Sequence, residues 1–335
     1  MTVTFTPVTA NYKRKNMHWE RDNRYFYYPS LFVSPFVTGT DCTKNDFQGA
    51  SLIIADSGGY QLKTGIARKV DWYEILQFQE RIADVGLTLD VPPLSKKGRL
   101  EYYDKSRYEK CLQQSTINAN RMLEHKTNKS MKTYAVIQGK DFDDAYKWFN
   151  NITKDHDFDG YAIPIAEIKN VGDIQSFYDQ IRLAKEINTD FHFLGNCTQL
   201  SMLIYSRLAQ ITRKNYTFDS STASNAIRYG QYFEPHYHHR MRFTKNEEHR
   251  VKFDLDKRPP CYCPICSKHT VRQLINNPML TMLHNVYVLK EFNEYSFTVV
   301  QDYNEFSWLL KKIVESNSKY QKHSKEIIRL ITSLL

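Results

Sequence analysis

A chain of 335 residues with 41 % hydrophobic and 25 % charged side chains is long enough for one large domain or two ordinary ones, and its composition is that of a soluble globular protein, not a disordered or fibrous one. No run approaches the roughly 18 apolar residues of a membrane span, and the start, MTVTFTPVTANYKRKN, lacks the apolar stretch of a signal peptide, so a cytoplasmic protein with no membrane partner is expected. A formal charge of +9 favours a polyanionic partner, a nucleic acid above all.

Along the chain one phrase repeats: a short apolar run ends in a polar or glycine-rich turn and is followed by an amphipathic stretch. After a first strand in YYPSLFVSPF, the runs are SLIIADSGGY ending at Asp56, VGLTLDVPP at Asp90, KTYAVIQG at Gln138, FDGYAIP near Gly160, DFHFLGN at Gly195 and NYTFDSS at Asp219. Helical spacing occupies DWYEILQFQERIAD, DDAYKWFNNITKD, DIQSFYDQIRLAKEI and TQLSMLIYSRLAQITR between them. Strands alternating with helices imply a parallel sheet. The units are too many for an isolated βαβ motif, and no G-x-G-x-x-G follows the first strand as in a dinucleotide-binding open sheet. The expected fold is α/β, a (β/α)8 TIM-like barrel, whose C-terminal strand ends all open onto one face.

Asp56, Asp90, Gln138 and Asp219 would then line one cleft. One strand-end aspartate is ordinarily a turn former or helix N-cap. Three of them, joined by a glutamine and flanked by glycine- or proline-rich turns, fit a site better, and Gly58 and Gly59 in DSGGYQ allow close backbone approach to a planar ligand.

Beyond about residue 245 the character changes. The charged TKNEEHRVKFDLDKRPP reads as a loop leading into CYCPICSKHT, where Cys261, Cys263 and Cys266 give C-x-C-x2-C. In a reducing compartment such a cluster holds metal, and a tetrahedral zinc site wants a fourth nitrogen or sulfur donor. His269 is nearer in sequence; His284 sits on the helically spaced NPMLTMLHNVYVLKEF and could swing back onto the thiolates. A closed four-ligand site is structural. Cys42, Cys111 and Cys197 are isolated and read as small core residues. Basic residues gather in HYHHRMRFTKNEEHR. The expected organisation is residues 1–245 as most of the barrel, 246–295 as the zinc-binding segment and 296–335 as C-terminal helices packed on the barrel.

DSGGYQ resembles the DSGGFQ signature of tRNA-guanine transglycosylases, and LDVPP, VIQG, FDGYAI, FDSS and the CYCPICSK…LHN segment follow in that family's order, over roughly residues 50 to 290. The resemblance implies a pentosyltransferase that exchanges guanine in a polynucleotide for a free 7-deazaguanine base without cutting the backbone. It selects His284 over His269 as the fourth ligand of a structural Zn2+. It also implies roles: Asp219 as the nucleophile on the sugar C1′, Asp56 as general acid/base, and Asp90 as acceptor for the guanine N1–H and amine. Gln138 with Gly139 would meet the O6 edge, Tyr60 would stack on the base, and Ser57, Gly58 and Gly59 would complete the base pocket. Gly160 falls in the segment that contacts the base through its backbone, where this chain departs by reading GYAIPIAE, with Pro164 removing a donor. DNA is the preferred polymer, because compact relatives that carry the barrel and zinc site without an RNA-binding module modify DNA, and the stretch after His284 is expected to be too short for the RNA-binding domains of archaeal relatives. tRNA is the alternative, and a catalytically silent zinc-containing subunit a further one. A homodimer is left open.

Overall fold

The structure, a computed structural model, describes residues 1–9, 16–64, 70–97, 100–165, 171–228, 231–234, 240–242, 254–318 and 320–335. Eight parallel strands form its centre: β1 (Val3–Pro7), β2 (Ser30–Val33), β3 (Leu52–Ala55), β4 (Val85–Leu87), β5 (Lys132–Val136), β6 (Gly160–Pro164), β7 (Phe191–Leu194) and β8 (Tyr216–Ser220). Their order is β1-β8-β7-β6-β5-β4-β3-β2, so each strand from β2 to β7 neighbours its sequence successor and β1 returns to β8. The two ends of the sheet then meet: Val8 bridges Phe32, and the Thr9 N–H donates to the Phe32 carbonyl at 3.1 Å. The result is a nearly closed TIM-like barrel.

The apolar runs become strands because both of their faces are covered. Alternate residues of β2 and β3 divide the work. Phe32 and Ile54 point inward with Leu87, Val136 and Ala162 and fill the lumen, whereas Leu31, Val33, Ile53 and Ala55 pack outward against helices. The helices predicted from spacing appear as Trp72–Ile82, Phe142–Ile152, Val171–Ile187 and Gln199–Thr212. Side chains cap three of them: Asp71 accepts from the N–H groups of Tyr73 and Glu74, Asp141 from Asp144 and Thr198 from Ser201.

The structure adds elements that the apolar pattern does not reveal. β1 lies in the stretch at the start of the chain, a hairpin pairs Leu94–Lys97 with Leu100–Tyr103, and a long helix, Tyr108–Glu124, precedes β5. The helix Pro278–Val299 crosses the expected boundary at residue 295. It carries His284 at one end, and near the other its Asn293 amide donates to the Val3 carbonyl at 2.9 Å, tying the metal-ligand segment to the barrel wall. Of the basic run HYHHRMRFTKNEEHR, only the backbone of Arg240–Arg242 falls within the described residues, paired antiparallel with Gln231–Phe233. Residues 244–253 of the expected charged loop lie outside them.

Candidate active site and metal-ligand cluster

Parallel strands that start together also end together, and the ends of β3, β4, β5 and β8 deliver Asp56, Asp90, Gln138 and Asp219 to one cleft of about 1270 Å³, lined also by Tyr60 and Gly195. That volume exceeds the ~300–1,000 Å³ of most small-molecule pockets, leaving room for a base and the strand that carries it.

The turn after β3 brings backbone close to the carboxylates. Gly58 has φ +73°, and a Cβ there would sit 1.9 Å from the Phe36 ring; a Cβ on Gly59 would meet Asp90 Oδ1 at 2.3 Å. Only glycine fits at either position. Ser57 is buried, with its hydroxyl 3.5 Å from Asp90 Oδ1, and Tyr60 follows, half exposed on the rim. Burial raises the Asp56 carboxyl to about 6; the Gly58 N–H opposes the shift and the negative charge of Asp219 adds to it.

Asp90 is buried and accepts from the Gln138 amide at 2.7 Å. Burial lifts its carboxyl to about 6 as well, against the Gln138 hydrogen bond and with the charge of Asp56. Its two flanking backbone groups are held by the helix Tyr108–Glu124: the Ser115 hydroxyl accepts from the Val91 N–H at 2.8 Å, and the Asn118 amide donates to the Leu89 carbonyl at 3.1 Å. Gly139, beside Gln138, packs so tightly on the helix Phe142–Ile152 that a Cβ would come 2.4 Å from the Ala145 nitrogen.

Asp219 is buried at the end of β8, where Oδ1 accepts from the Gly195 N–H at 2.7 Å and lies 3.3 Å from His192 Nε2. Gln79 acts on the opposite wall: its amide donates to the carbonyls of Leu87, Ala55 and Asp56, at 2.7, 3.3 and 3.3 Å, tying the ends of β3 and β4 together. Apolar spacing does not single out Gln79, Ser115, Asn118 or His192, because each is a polar residue inside an otherwise apolar or amphipathic run.

Gly58 sits against Phe36 just behind the residues that line the cleft, and a second predicted site residue outside the lining, much farther away, is Gly160. It starts β6 and Pro164 ends it, so Gly160 lies about 13 Å from the strand end that faces the cleft, packed under the Tyr134 ring and the Asp190 carbonyl. Pro164 and Ile165 line the cleft instead. Ala166 and Glu167 of the same segment lie outside the described residues.

Away from the cleft, Cys261, Cys263, Cys266 and His284 are all buried, with their four donor atoms within 4.8 Å of one another. His284 Nδ1 lies 3.8, 3.2 and 3.4 Å from the sulfurs of Cys261, Cys263 and Cys266. Bond lengths of 2.0–2.3 Å at tetrahedral angles put ligand atoms about 3.5 Å apart, so the spacing suits one small dication. The donor chemistry agrees. His284 Nε2 donates to the Phe233 carbonyl at 2.8 Å, which leaves the Nδ1 lone pair facing the sulfurs, and the imidazole stacks on Tyr232 with centroids 4.0 Å apart. The Cys263 and Cys266 N–H groups donate to the sulfurs of Cys261 and Cys263. Asn285 clamps the same short strand, accepting from the Phe233 N–H at 3.0 Å and donating to the Gln231 carbonyl at 3.1 Å. His269 lies outside the cluster and is hydrogen-bonded to the Tyr25 hydroxyl at 2.8 Å. Among the described residues no helix is long and apolar enough to cross a membrane.

Comparison with known proteins places relatives beside the chain. The tRNA-guanine(15) transglycosylases of Pyrococcus abyssi and Methanocaldococcus jannaschii are 23 % and 27 % identical to the chain over 250 and 252 residues, each covering 72 % of it. That of Thermococcus onnurineus is 25 % identical over 256 residues. The matched region spans only 35–39 % of these relatives' own length. The model of the queuine tRNA-ribosyltransferase (TGT) family matches residues 44–296, from just before β3 to the helix that carries His284, and the chain therefore belongs to that family.

Proposed function

We propose that this protein is a guanine transglycosylase, a pentosyltransferase that replaces guanine in a polynucleotide by a 7-deazaguanine through a covalent aspartyl-glycosyl intermediate. The observation that carries the reading is the pairing of two strand-end carboxylates, Asp56 and Asp219, on one cleft with a buried acceptor, Asp90, that is already tied to an amide, Gln138.

In the first step a carboxylate oxygen of Asp219 bonds to the sugar C1′ as the C1′–N9 bond breaks. The electron pair leaves with the base, and Asp56 supplies the proton that neutralises it. In the second step Asp56 takes the N9 proton of the incoming 7-deazaguanine, N9 attacks C1′, and Asp219 departs with its bonding pair. Two displacements restore the configuration at C1′ and keep the strand intact throughout. An acid whose proton is held to about pH 6 can serve in both directions near neutrality. Asp90 would accept from the coplanar N1–H and amine of guanine, Gln138 and Gly139 would meet the O6 edge, and Tyr60 would cover a base flipped out of its strand. The Cys3His group is proposed to hold Zn2+, which supplies folding energy and no step of the exchange.

For the polymer, the names of the relatives favour tRNA, and duplex DNA, preferred on sequence, is the second reading. Incubation with labelled guanine and each polymer in turn tests both. Label entering one polymer identifies the substrate; label entering neither, with zinc-loaded folded protein, would overturn the reading.

A further inference from the structure

His192 lies in the middle of the apolar run FHFL, fully buried, with its ring stacked parallel on Phe32 at 5.2 Å. In the register of β7 and β8 it pairs with Thr217. Thr217 and Asp219 are two apart on one strand and so face the same side. The imidazole reaches both, with Nδ1 2.8 Å from the Thr217 hydroxyl oxygen and Nε2 3.3 Å from Asp219 Oδ1.

A neutral imidazole has one donor and one acceptor, which leaves two arrangements. If Nδ1 carried the proton, the Nε2 lone pair would face a carboxylate oxygen. If Nε2 carries it, the Thr217 hydroxyl donates to Nδ1 and Nε2–H donates to Asp219, so every contact is satisfied. The second arrangement puts two donors, Nε2–H and the Gly195 N–H, on the same carboxylate oxygen.

We infer that His192 is a positioning residue for Asp219: with Gly195 it anchors Oδ1, so that Oδ2 is the oxygen presented to the sugar. The inference rests on the reading of Asp219 as the nucleophile. A carboxylate at a strand end has freedom about χ2, and a reacting atom displaced by an ångström can cost a hundredfold in rate. His192 reaches Oδ1 from the buried lumen of the barrel, so it can donate without entering the cleft.

The test compares three variants of the full, zinc-loaded chain in exchange of labelled guanine into whichever of tRNA and duplex DNA the wild type labels. His192→Phe keeps the ring on Phe32 but removes the donor, and kcat is expected to fall about 10- to 100-fold, the worth of a hydrogen bond to a charged group, with KM for the polymer unchanged. His192→Gln offers an amide N–H near the position of Nε2 and should recover most of the loss. Asp219→Asn separates the two levels of the argument. If it still exchanges bases, or if the wild type labels neither polymer, the nucleophile reading fails and this inference with it. If Asp219→Asn is inactive while His192→Phe keeps wild-type kcat, or loses KM alone, only the positioning role is overturned. Equal loss in His192→Phe and His192→Gln overturns it too, since the residue then matters for packing and not as a donor.

Discussion

The two ends of the barrel use the same residue in opposite ways. At the N-terminal ends of the strands, Asp84, Asp159 and Asp190 immediately precede β4, β6 and β7. Each turns its carboxylate onto the backbone N–H at the start of a neighbouring strand: Asp84 accepts from Ile53, Asp159 from Thr133 and Asp190 from Asn215, all at 2.8–2.9 Å. At the C-terminal ends, Asp56, Asp90 and Asp219 face a cleft, and burial raises Asp56 and Asp90 to about 6. The lower three close the sheet; the upper three line an open cleft. Residue type alone does not separate the groups, but the partner does: a backbone N–H of a neighbouring strand below, and side chains or turn N–H groups beside the cleft above.

The largest effect that would sharpen this contrast comes from the upper end. Asp219→Asn should abolish exchange, by at least about 10⁴-fold, as loss of a nucleophile does, and leave thermal unfolding near that of wild type. A denaturation-resistant adduct between protein and polymer, trapped with wild type and mapped by peptide analysis to Asp219, is the companion measurement. An adduct on Asp56 would exchange the two assigned roles.

Next in size is the metal-ligand cluster, which belongs to neither end. Removing one donor by His284→Ala leaves three buried thiols facing one another, and loss of a structural metal is among the few single changes that cost more than about 4 kcal/mol. Metal content and a denaturant midpoint measure it. Full zinc occupancy with an unchanged midpoint would remove the cluster from the account of the fold. Asp56→Asn should be milder in rate than Asp219→Asn, falling about 10²- to 10⁴-fold, because it removes proton transfer and leaves the covalent step available. The loss should shrink for a leaving base more acidic than guanine.

Much of the upper end was legible in the sequence because barrel strands are buried on both faces, so their apolar runs stop abruptly where the polar site begins; Asp56, Asp90, Gln138 and Asp219 all stand at such a stop. The supporting residues were not. Ser115 and Asn118 interrupt the apolar spacing of the helix Tyr108–Glu124 because their partners are backbone groups beside Asp90, and the same substitution of polar for apolar hid the helix itself. β1 was hidden by Thr4 and Thr6; the Thr6 hydroxyl is buried and donates to the Phe218 carbonyl at 2.9 Å, a contact across 212 positions of chain. Motif order points to Gly160, but its strand begins there, and motif order carries no information about which end of a strand a residue occupies. The resemblance selects His284 over His269, and the structure supplies the physical reason in the bond from Nε2 to Phe233.

Asp90→Asn probes the cost of burying a carboxylate at the upper end. Its folded carboxyl is raised to about 6 from an ordinary value of 3.8, so folding favours the neutral form relative to the unfolded chain. The stability this gives is fully present below pH 3.8 and is lost as pH rises through about 6; the shift corresponds to something of order 3 kcal/mol. Asparagine has no charge to bury. Relative to wild type, Asp90→Asn should therefore gain stability between pH 4 and pH 7.5 while losing guanine exchange, since its amide would set a donor against the donors of the base. Urea midpoints for both proteins across that range measure the gain. Parallel pH profiles would mean that burial of Asp90 costs the fold nothing.

The smallest effect belongs to the lower end and is the control that gives the others meaning. In Asp159→Ala the Thr133 N–H loses the carboxylate that accepts it at 2.8 Å, although the Asp159 backbone N–H still donates to the Thr133 carbonyl, so the β5–β6 start keeps part of its pairing. A single lost hydrogen bond of this kind costs about 1 kcal/mol, which for a chain of this size lowers Tm by roughly 2 °C. The neighbouring Lys126, 3.7 Å from the carboxylate, is an ion pair with one exposed partner and should add little. Exchange kinetics should be indistinguishable from wild type, because nothing at Asp159 touches the cleft. A kcat loss beyond about tenfold without a matching loss of stability would show that the two ends are coupled through the strands, since a local hydrogen bond of this size cannot by itself carry such an effect.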